Sequence, residues 1–339
     1  MSEAKPADAV KPATIPDDAA RRRVPMVLAG LVAMVWPAVH AQSNKTLRLI
    51  VPFPPGGSTD ILARAIGARL GPALGQTVVI DNKPGAGGSM GAAEAARSGP
   101  DGNTLLMAHI GVLAVNPALY PKLSYDPIKS FVPVAWVARV PNVLVVNASS
   151  PIRSLADLIA KARAQPGRMS YSSGGNGSAA HISFEYLKLK AGFFMLHIPY
   201  RGTAPSVTDL LGGQVDATFT GAPTVLPHVR NGRLRALAVS SPQRLATLPD
   251  VPTVAESGFP GFDADQWYGI VAPAGTPDAV VHRLNAEINK ALQTPAVAQQ
   301  LADEGAIPMP GSPTAFGDLI AREIPRWALV VNAGNVKPD

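Results

Sequence analysis

From residue 46 onward, short β-rich runs alternate with helical stretches, and a loop of glycine, proline and hydroxyl residues follows run after run. Residues 46–52 (T-L-R-L-I-V-P) read as a strand. Residues 60–70 read as an amphipathic helix with Ile61 and Ala65 on one face. A strand at 77–80, a small-residue helix at 90–96 and a turn plus strand at 101–108 continue the series. This alternation predicts α/β layers on a largely parallel sheet.

Residues 131–146 hold two strand-like runs broken by Pro141. A helix over 154–164, which Ser154 can cap, opens a second series. It contains strands from 166–172, at 197–200, 214–219 and 234–239, with helices at 181–190, 204–211 and 223–230 between them. That series predicts a second α/β lobe. A loop at 271–278 then caps a long helix over 279–292, followed by helices near 295–304 and 313–327. A length of 339 residues suits two domains. No fixed-period repeat and no low-complexity linker separates the lobes, so strands crossing between them are the expected joint.

The loops carry the chemistry. In open parallel sheets, ligands bind beyond the carboxyl ends of the strands. Each following helix presents unpaired amides there, which suit a carboxylate, phosphate or sulfate. In the first loop Gly56 and Gly57 allow close backbone approach, Ser58 or Thr59 can cap the helix, and Asp60 sits in its first turn. The same residues also serve a plain helix start, and Phe53 fits either a core or a pocket wall. Ser172, Ser173, Gly175, Asn176, Gly177 and Ser178 put hydroxyls and amides in one turn, which can equally face solvent. Thr220 follows a strand. Asp216, placed within that strand, reads as a supporting group more than an anion contact. Arg201 can pair with a carboxylate or point into water. His181, in a first turn, reads as a cap or surface residue.

Several function classes are excluded or unsupported. The chain has no cysteine, which removes zinc–thiolate sites, thiol nucleophiles, disulfides and a lipoprotein anchor. The formal charge of +6 is thinly spread and forms no nucleic-acid patch. P-F-P-P-G-G lacks the spacing of a dinucleotide loop and of a Walker loop, so no cofactor is expected. His109, His181, His197, His228 and His282 show no metal-ligand spacing, and no metal is expected. Ser89 and Ser178 have no nucleophile elbow around them. Asp263 and Asp265 are not fixed as an acid–base pair. An enzyme is unsupported.

Residues 1–20 are rich in Ala, Pro, Asp and Lys and read as disordered. Arg21, Arg22 and Arg23 precede an apolar run over 24–39, and Ala41 stands before Gln42. This is the pattern of a secretory signal, cut near Ala41. The run holds two prolines and is shorter than the roughly 20 residues of a membrane span. A leader over 1–41 and a periplasmic mature chain are therefore expected.

P-F-P-P-G-G-S-T-D at 52–60, N-K-P-G-A-G-G at 82–88 and Y-D-P at 125–127 resemble the substrate-binding proteins of tripartite tricarboxylate transporters, the Bug or TctC-like family. So do P-Y-R-G at 199–202, L-L-G-G-Q-V-D at 210–216, G-R-L-R-A-L-A-V at 232–239, L-P-D-V-P-T at 248–253, W-Y-G at 267–269 and A-P-A-G-T-P at 272–277. The ordered series spans essentially all of residues 45–330. The resemblance implies a two-lobed periplasmic binding protein fold of the second topological type, a Venus flytrap with mixed, largely parallel sheets. Lobe 1 is expected over 44–141 plus 267–339, and lobe 2 over 142–266. It implies a monomeric receptor for a small carboxylate, delivered to a membrane permease of one large and one small integral subunit. Carried onto this chain, the site residues are Phe53, Pro54, Pro55, Gly56, Gly57, Ser58, Thr59 and Asp60, then Gly85, Ala86, Gly87 and Gly88. The opposite lobe contributes Ser173, Asn176, Gly177, Ser178, His181, Arg201, Thr203, Ala204, Thr220 and Asp216. His109 stands where many relatives carry a smaller polar residue, and is expected at the distal end of a ligand. The cleft is expected to hold few cationic side chains, with amides doing most of the neutralising. An exported sensor domain and, behind it, an enzyme on the same fold are the alternatives.

Overall fold

A computed structural model describes residues 46–338. The proposed leader and its cut near Ala41 lie outside the described residues.

The first sheet opens with the parallel pair β1 (Leu47–Val51) and β2 (Val78–Asn82), joined through helix α1 (Ser58–Leu74). Along β1 the side chains alternate between two cores. Ile50 packs into one, while Leu49 and Val51 pack into the other. A strand covered on both faces needs this continuous apolar run. Helix α1 ends where Gly75 turns left-handed at φ 66°. Helix α2 (Ser89–Ala96) leads to β3 (Thr104–His109), which lies parallel to β1 on its other side. A π-helical turn over Gly111–Val115 and the short α3 (Asn116–Leu119) follow.

Strand β4 (Phe131–Val140) belongs to this sheet, but its continuation β5 (Asn142–Asn147) belongs to another. Pro141, which has no amide to give a ladder, stands at the crossing. The second sheet adds β6 (Ser170–Ser173), β7 (Leu196–Pro199), β8 (Ala217–Gly221) and β9 (Leu234–Val239). Helices α4 (Leu155–Ala164), α5 (Ala179–Ala191), α6 (Thr203–Leu211) and α7 (Ala222–Arg230) connect them. Ser154 caps α4, its hydroxyl accepting from the Asp157 amide at 3.0 Å. The chain then returns to the first sheet as β10 (Gln266–Pro273). Helices α8 (Asp278–Gln293) and α9 (Pro295–Asp303), the edge strand β11 (Ile307–Pro308) and α10 (Pro313–Ala333) complete it.

The strand orders are β11-β4-β10-β3-β1-β2 and β7-β6-β8-β5-β9. Both sheets are mixed. The strand–loop–helix repeats pair in parallel (β1 with β2 and β3, β6 with β7 and β8), whereas β4, β5, β9, β10 and β11 pair antiparallel. The parallel character is thus confined to one half of each sheet. The strands that carry the chain between sheets run against it.

Helix α10 runs six residues beyond the expected end at 327. Its Glu323 carboxylate is buried between two indoles, accepting from Trp327 Nε1 at 2.7 Å and Trp267 Nε1 at 3.2 Å. Strand β8 begins at Ala217, so Asp216 precedes the strand instead of lying within it.

Candidate functional site

Three helix starts meet at one place. The first amides of a helix have no carbonyl four residues back to bond. Those of α1 follow Gly57, those of α5 follow Ser178, and those of α6 follow Gly202. A recess of about 40 Å³ is lined by Gly57, Ser58 and Thr59 from the first, Ser178 and Ala179 from the second, and Gly202 and Thr203 from the third. Phe53, Pro54, His109, Gly174, Thr220, Gln266 and Tyr268 complete its wall. Among the described residues no lysine, arginine, aspartate or glutamate lines it.

The recess adjoins a larger cavity of about 570 Å³, with which it shares Phe53, Pro54, Gly174, Ser178 and Gly202. Pro84, Gly85, Ala86, Gly87 and Gly88 form one wall of the cavity; Gly175, Asn176, Pro199, Tyr200 and Arg201 form the other. Among the described residues Arg201 is the one formally charged side chain on its lining. The walls come from the two sheets' loops and approach closely. A Cβ on Gly202 would stand 3.1 Å from Pro54 Cγ, in a backbone conformation (φ 113°) that already favours glycine.

Each loop is held from behind by polar side chains that point away from the cavity. Asp60 accepts from the Gly56 amide at 3.1 Å, Arg64 Nε at 3.0 Å and Asn82 Nδ2 at 3.1 Å. Burial alone would raise its pKa, but these donors outweigh it and hold the carboxyl below its ordinary value. Asp60 therefore clamps the loop and does not line the cavity. Asn82 also donates to the Phe53 carbonyl at 2.9 Å. The second loop is tied by Asn116, whose amide donates to the Gly87 carbonyl at 3.0 Å.

The third loop rests on a stacked histidine pair. His181 and His197 lie with ring centroids 3.7 Å apart. His181 Nδ1 accepts the Gly177 amide at 3.1 Å, and His197 Nε2 meets Ser173 Oγ at 2.7 Å. Burial, with the neighbouring positive charges second, pushes His181 down to about 2 and His197 down to about 4. Both rings are neutral supports. His181 and Ser173 thus lie behind the loop and not on its cavity side, because their polar atoms are spent on the loop's own backbone.

The remaining expected residues divide cleanly. Phe53, Gly57, Ser58, Thr59, Gly87, His109, Asn176, Ser178, Arg201, Thr203 and Thr220 line the recess or the cavity. Gly56 and Ala204 face a separate groove beside His228 and Arg233. Pro55 and Gly177 shape their loops without lining either space. Asp216 sits at the opening end of β8, away from Thr220, and its carboxylate accepts from the Ser170 amide at 2.8 Å. It fastens two strand starts to each other and is set aside as a binding residue. His109, expected at a ligand's distal end, instead walls the inner recess. It is stacked on Phe53 at 4.5 Å, with the edge of Tyr268 at 5.6 Å.

Besides Gly174, Ala179 and Gly202, which adjoin flagged loop residues, Gln266 and Tyr268 are the recess residues that the sequence did not flag. They alternate with Trp267 on β10, so the strand's period of two aims them at the recess while Trp267 goes to the core. Among the described residues no cluster of His, Asp and Glu could hold a metal ion, and no helix is long and apolar enough to cross a membrane.

Two lobes, each a mixed sheet flanked by helices, with an amide-lined cleft at the loop ends, define a periplasmic solute-binding protein. The chain belongs to the tripartite tricarboxylate transporter receptor family, TctC, whose model matches residues 62–336. The resemblance read from the loop motifs is confirmed by this match. The chain is 43% identical over 310 residues to Protein BugT of Bordetella pertussis, covering 91% of this chain and 94% of that one. It is similar to an R. palustris protein solved with adipate, at 38% identity and a TM-score of 0.84, covering 87% of this chain and 98% of the other. A Rhodopseudomonas palustris protein with bound malate is 35% identical, with a TM-score of 0.80, covering 84% and 98%.

Proposed function

We propose that this chain is an exported receptor that closes its cleft on a small carboxylate and delivers it to a membrane carrier of one large and one small integral subunit. The observation that carries the reading is the convergence of three helix starts on a recess with no formal charge. Such a recess favours a compact anion, since amides and hydroxyls satisfy its oxygens and the helix dipoles oppose its charge. A phosphate dianion would find no side-chain cation there. The relatives solved with adipate and malate support the carboxylate class.

The working division is lobe 1 over 44–141 plus 267–339 and lobe 2 over 142–266, with the signal removed near Ala41 and the mature receptor a monomer. Cargo contacts are assigned to Gly57, Ser58, Thr59, Ser178, Thr203 and Thr220 in the recess, with Gln266 and Tyr268 added. Phe53, Gly87, Asn176 and Arg201 are assigned to the cargo's body and far end. Contacts to both lobes shift the population toward the closed cleft. No reaction is assigned. Ser173 and His197 approach as a nucleophile and base would, but Ser173 is fully buried and its hydroxyl also donates to the Gly175 carbonyl at 3.1 Å.

A thermal-shift panel on the mature chain tests this reading, using acetate, benzoate, malate, adipate and citrate beside their neutral amides. At least one acid should stabilise the protein by mass action and its amide should not. Equal stabilisation by acid and amide, or none by any acid, would end the carboxylate reading.

A further inference from the structure

His109 is built into the recess more elaborately than a packing residue requires. One ring face lies on Phe53, 10° from parallel, and the edge of Tyr268 closes another side. The ring is therefore fixed in position. Its Nδ1 accepts the Gly111 amide at 2.6 Å. That bond depends on glycine, because a Cβ at position 111 would stand 2.5 Å from His109 Cε1.

An Nδ1 that accepts cannot carry the proton, so the proton of the neutral ring resides on Nε2. Burial keeps the ring neutral, pushing its pKa down to about 3. Nδ1 is the ring nitrogen bonded to the backbone, which leaves Nε2 as the nitrogen of the recess-lining ring available to a cargo. The other polar side chains of the recess wall are Ser58, Thr59, Ser178, Thr203, Thr220, Gln266 and Tyr268, none charged.

We propose that His109 is a specificity-determining residue whose Nε2–H donates a hydrogen bond to a carboxylate oxygen of the cargo in the recess. This rests on the carboxylate reading above. It adds a donor that is not a backbone amide and that stays neutral through the physiological pH range. A donor with a fixed direction selects an oxygen acceptor at one point of the recess. A cargo presenting an ammonium or amide N–H there would meet donor against donor.

The test combines spectroscopy on the wild-type chain with two variants. Nitrogen-15 NMR of the histidine rings should show His109 as the Nε2–H tautomer, and its Nε2 resonance should move when the tightest-binding acid of the panel is added. His109→Phe keeps the stack on Phe53 but has no donor. By calorimetry it should bind that acid about tenfold to a hundredfold more weakly, the range for a charge-assisted hydrogen bond. His109→Gln restores a donor and should recover part of the loss. An Nδ1–H tautomer, a silent Nε2, or wild-type affinity in His109→Phe would overturn the assignment while leaving the carboxylate reading intact. If no acid binds the wild-type chain, the carboxylate reading has failed and this one falls with it. Should His109→Phe fail to fold, the wild-type spectra and His109→Gln decide.

Discussion

Gln266 donates its side-chain amide to Asn142 Oδ1, and these two residues open the strands that follow the two chain crossings. Asn142 is fully buried. Its own amide donates to the Ala264 carbonyl at 2.7 Å and to Ser183 Oγ at 2.8 Å, and its backbone N–H donates to Ser240 Oγ at 2.7 Å. Ser240 in turn donates to Asp265 at 2.6 Å, and Arg139 pairs with Asp265 at 2.9 Å. The outgoing and returning segments are thus bonded to each other, so a bend in one must be shared by the other. Hinges of this kind place the dihedral change on a few residues at element ends.

Replacing Asn142 with Ala should therefore destabilise the protein strongly, by about 3 kcal/mol. Truncation leaves the buried Gln266 amide without its acceptor and takes a donor from Ser183 Oγ and from the Ala264 carbonyl, which keeps only the Ser183 hydroxyl at 3.3 Å; each group left short of a partner costs about 1–3 kcal/mol. Urea unfolding measures it. A loss under about 0.5 kcal/mol would show that water takes over these bonds and that the crossings are not coupled through Asn142.

Acid should unfold this protein through its histidines. His109, His181 and His197 are held neutral by burial, at about 3, 2 and 4. In the unfolded chain they titrate near 6.5. The unfolded state then binds more protons, so stability is full above about 6.5 and is lost as pH falls toward 4. Asp265 works the other way: burial raises it to about 6, and its contribution is present at low pH and lost as pH rises from about 4 to 6. Three groups against one leave a net uptake of about two protons on unfolding near pH 5. Denaturant midpoints measured from pH 7 to 4.5 should fall on acidification, and a flat or rising profile would contradict the burial of these rings.

The loops were legible in the sequence because their residue types are dictated by backbone needs. Glycines, prolines and a capping hydroxyl have to stand where a strand hands over to a helix that faces a ligand, and Gly57, Gly87, Ser178 and Thr220 were found that way. What was not legible depends on the return of the chain. Gln266 and Tyr268 lie in an apolar run that reads as core, and nothing local says which face of β10 meets the recess. Parallel and antiparallel pairing share the same strand residues, so the strand–helix alternation by itself points to a largely parallel sheet; the mixed character came with the family resemblance, and which strands run antiparallel only with the topology. Asp60, Ser173 and His181 were placed at the site by their loops, yet their side chains turn back to hold those loops. Polar residue types alone do not tell which side of a loop a side chain takes. The helix expected over 313–327 already passes Pro325, and the apolar A-L-V-V-N-A that continues it to Ala333 has no helical period of its own to mark it as helix.

Arg201 offers a way to read the cargo's far end. It is the one formal charge on the lining of the larger cavity, and it has no salt-bridge partner among the described residues. Its guanidinium can engage a second carboxylate bidentately. Arg201→Gln should then weaken a dicarboxylate such as adipate about fivefold and leave a monocarboxylate within about twofold, since an exposed charge pair contributes about 1 kcal/mol. Parallel titrations of adipate and its monoamide would show the difference. Equal losses for both, or none, would leave Arg201 to solvent.

Gly57 tests the backbone side of the same recess. It precedes α1 with φ −87° and ψ 167°, a conformation that proline can nearly adopt, and it lines the recess directly. Gly57→Pro removes one N–H from the wall while leaving Asp60, Arg64 and Asn82 to hold the loop. A buried amide bonded to a carboxylate contributes about 1.5–3 kcal/mol, so affinity should fall by about one to two orders of magnitude. The melting temperature without cargo should move little, since the Gly57 N–H donates none of the backbone hydrogen bonds that hold the loop. Calorimetry with the panel's best acid separates the two quantities. Unchanged affinity in a folded Gly57→Pro chain would show that the cargo's oxygens are held by Ser58, Thr59 and the opposite loops without the Gly57 amide.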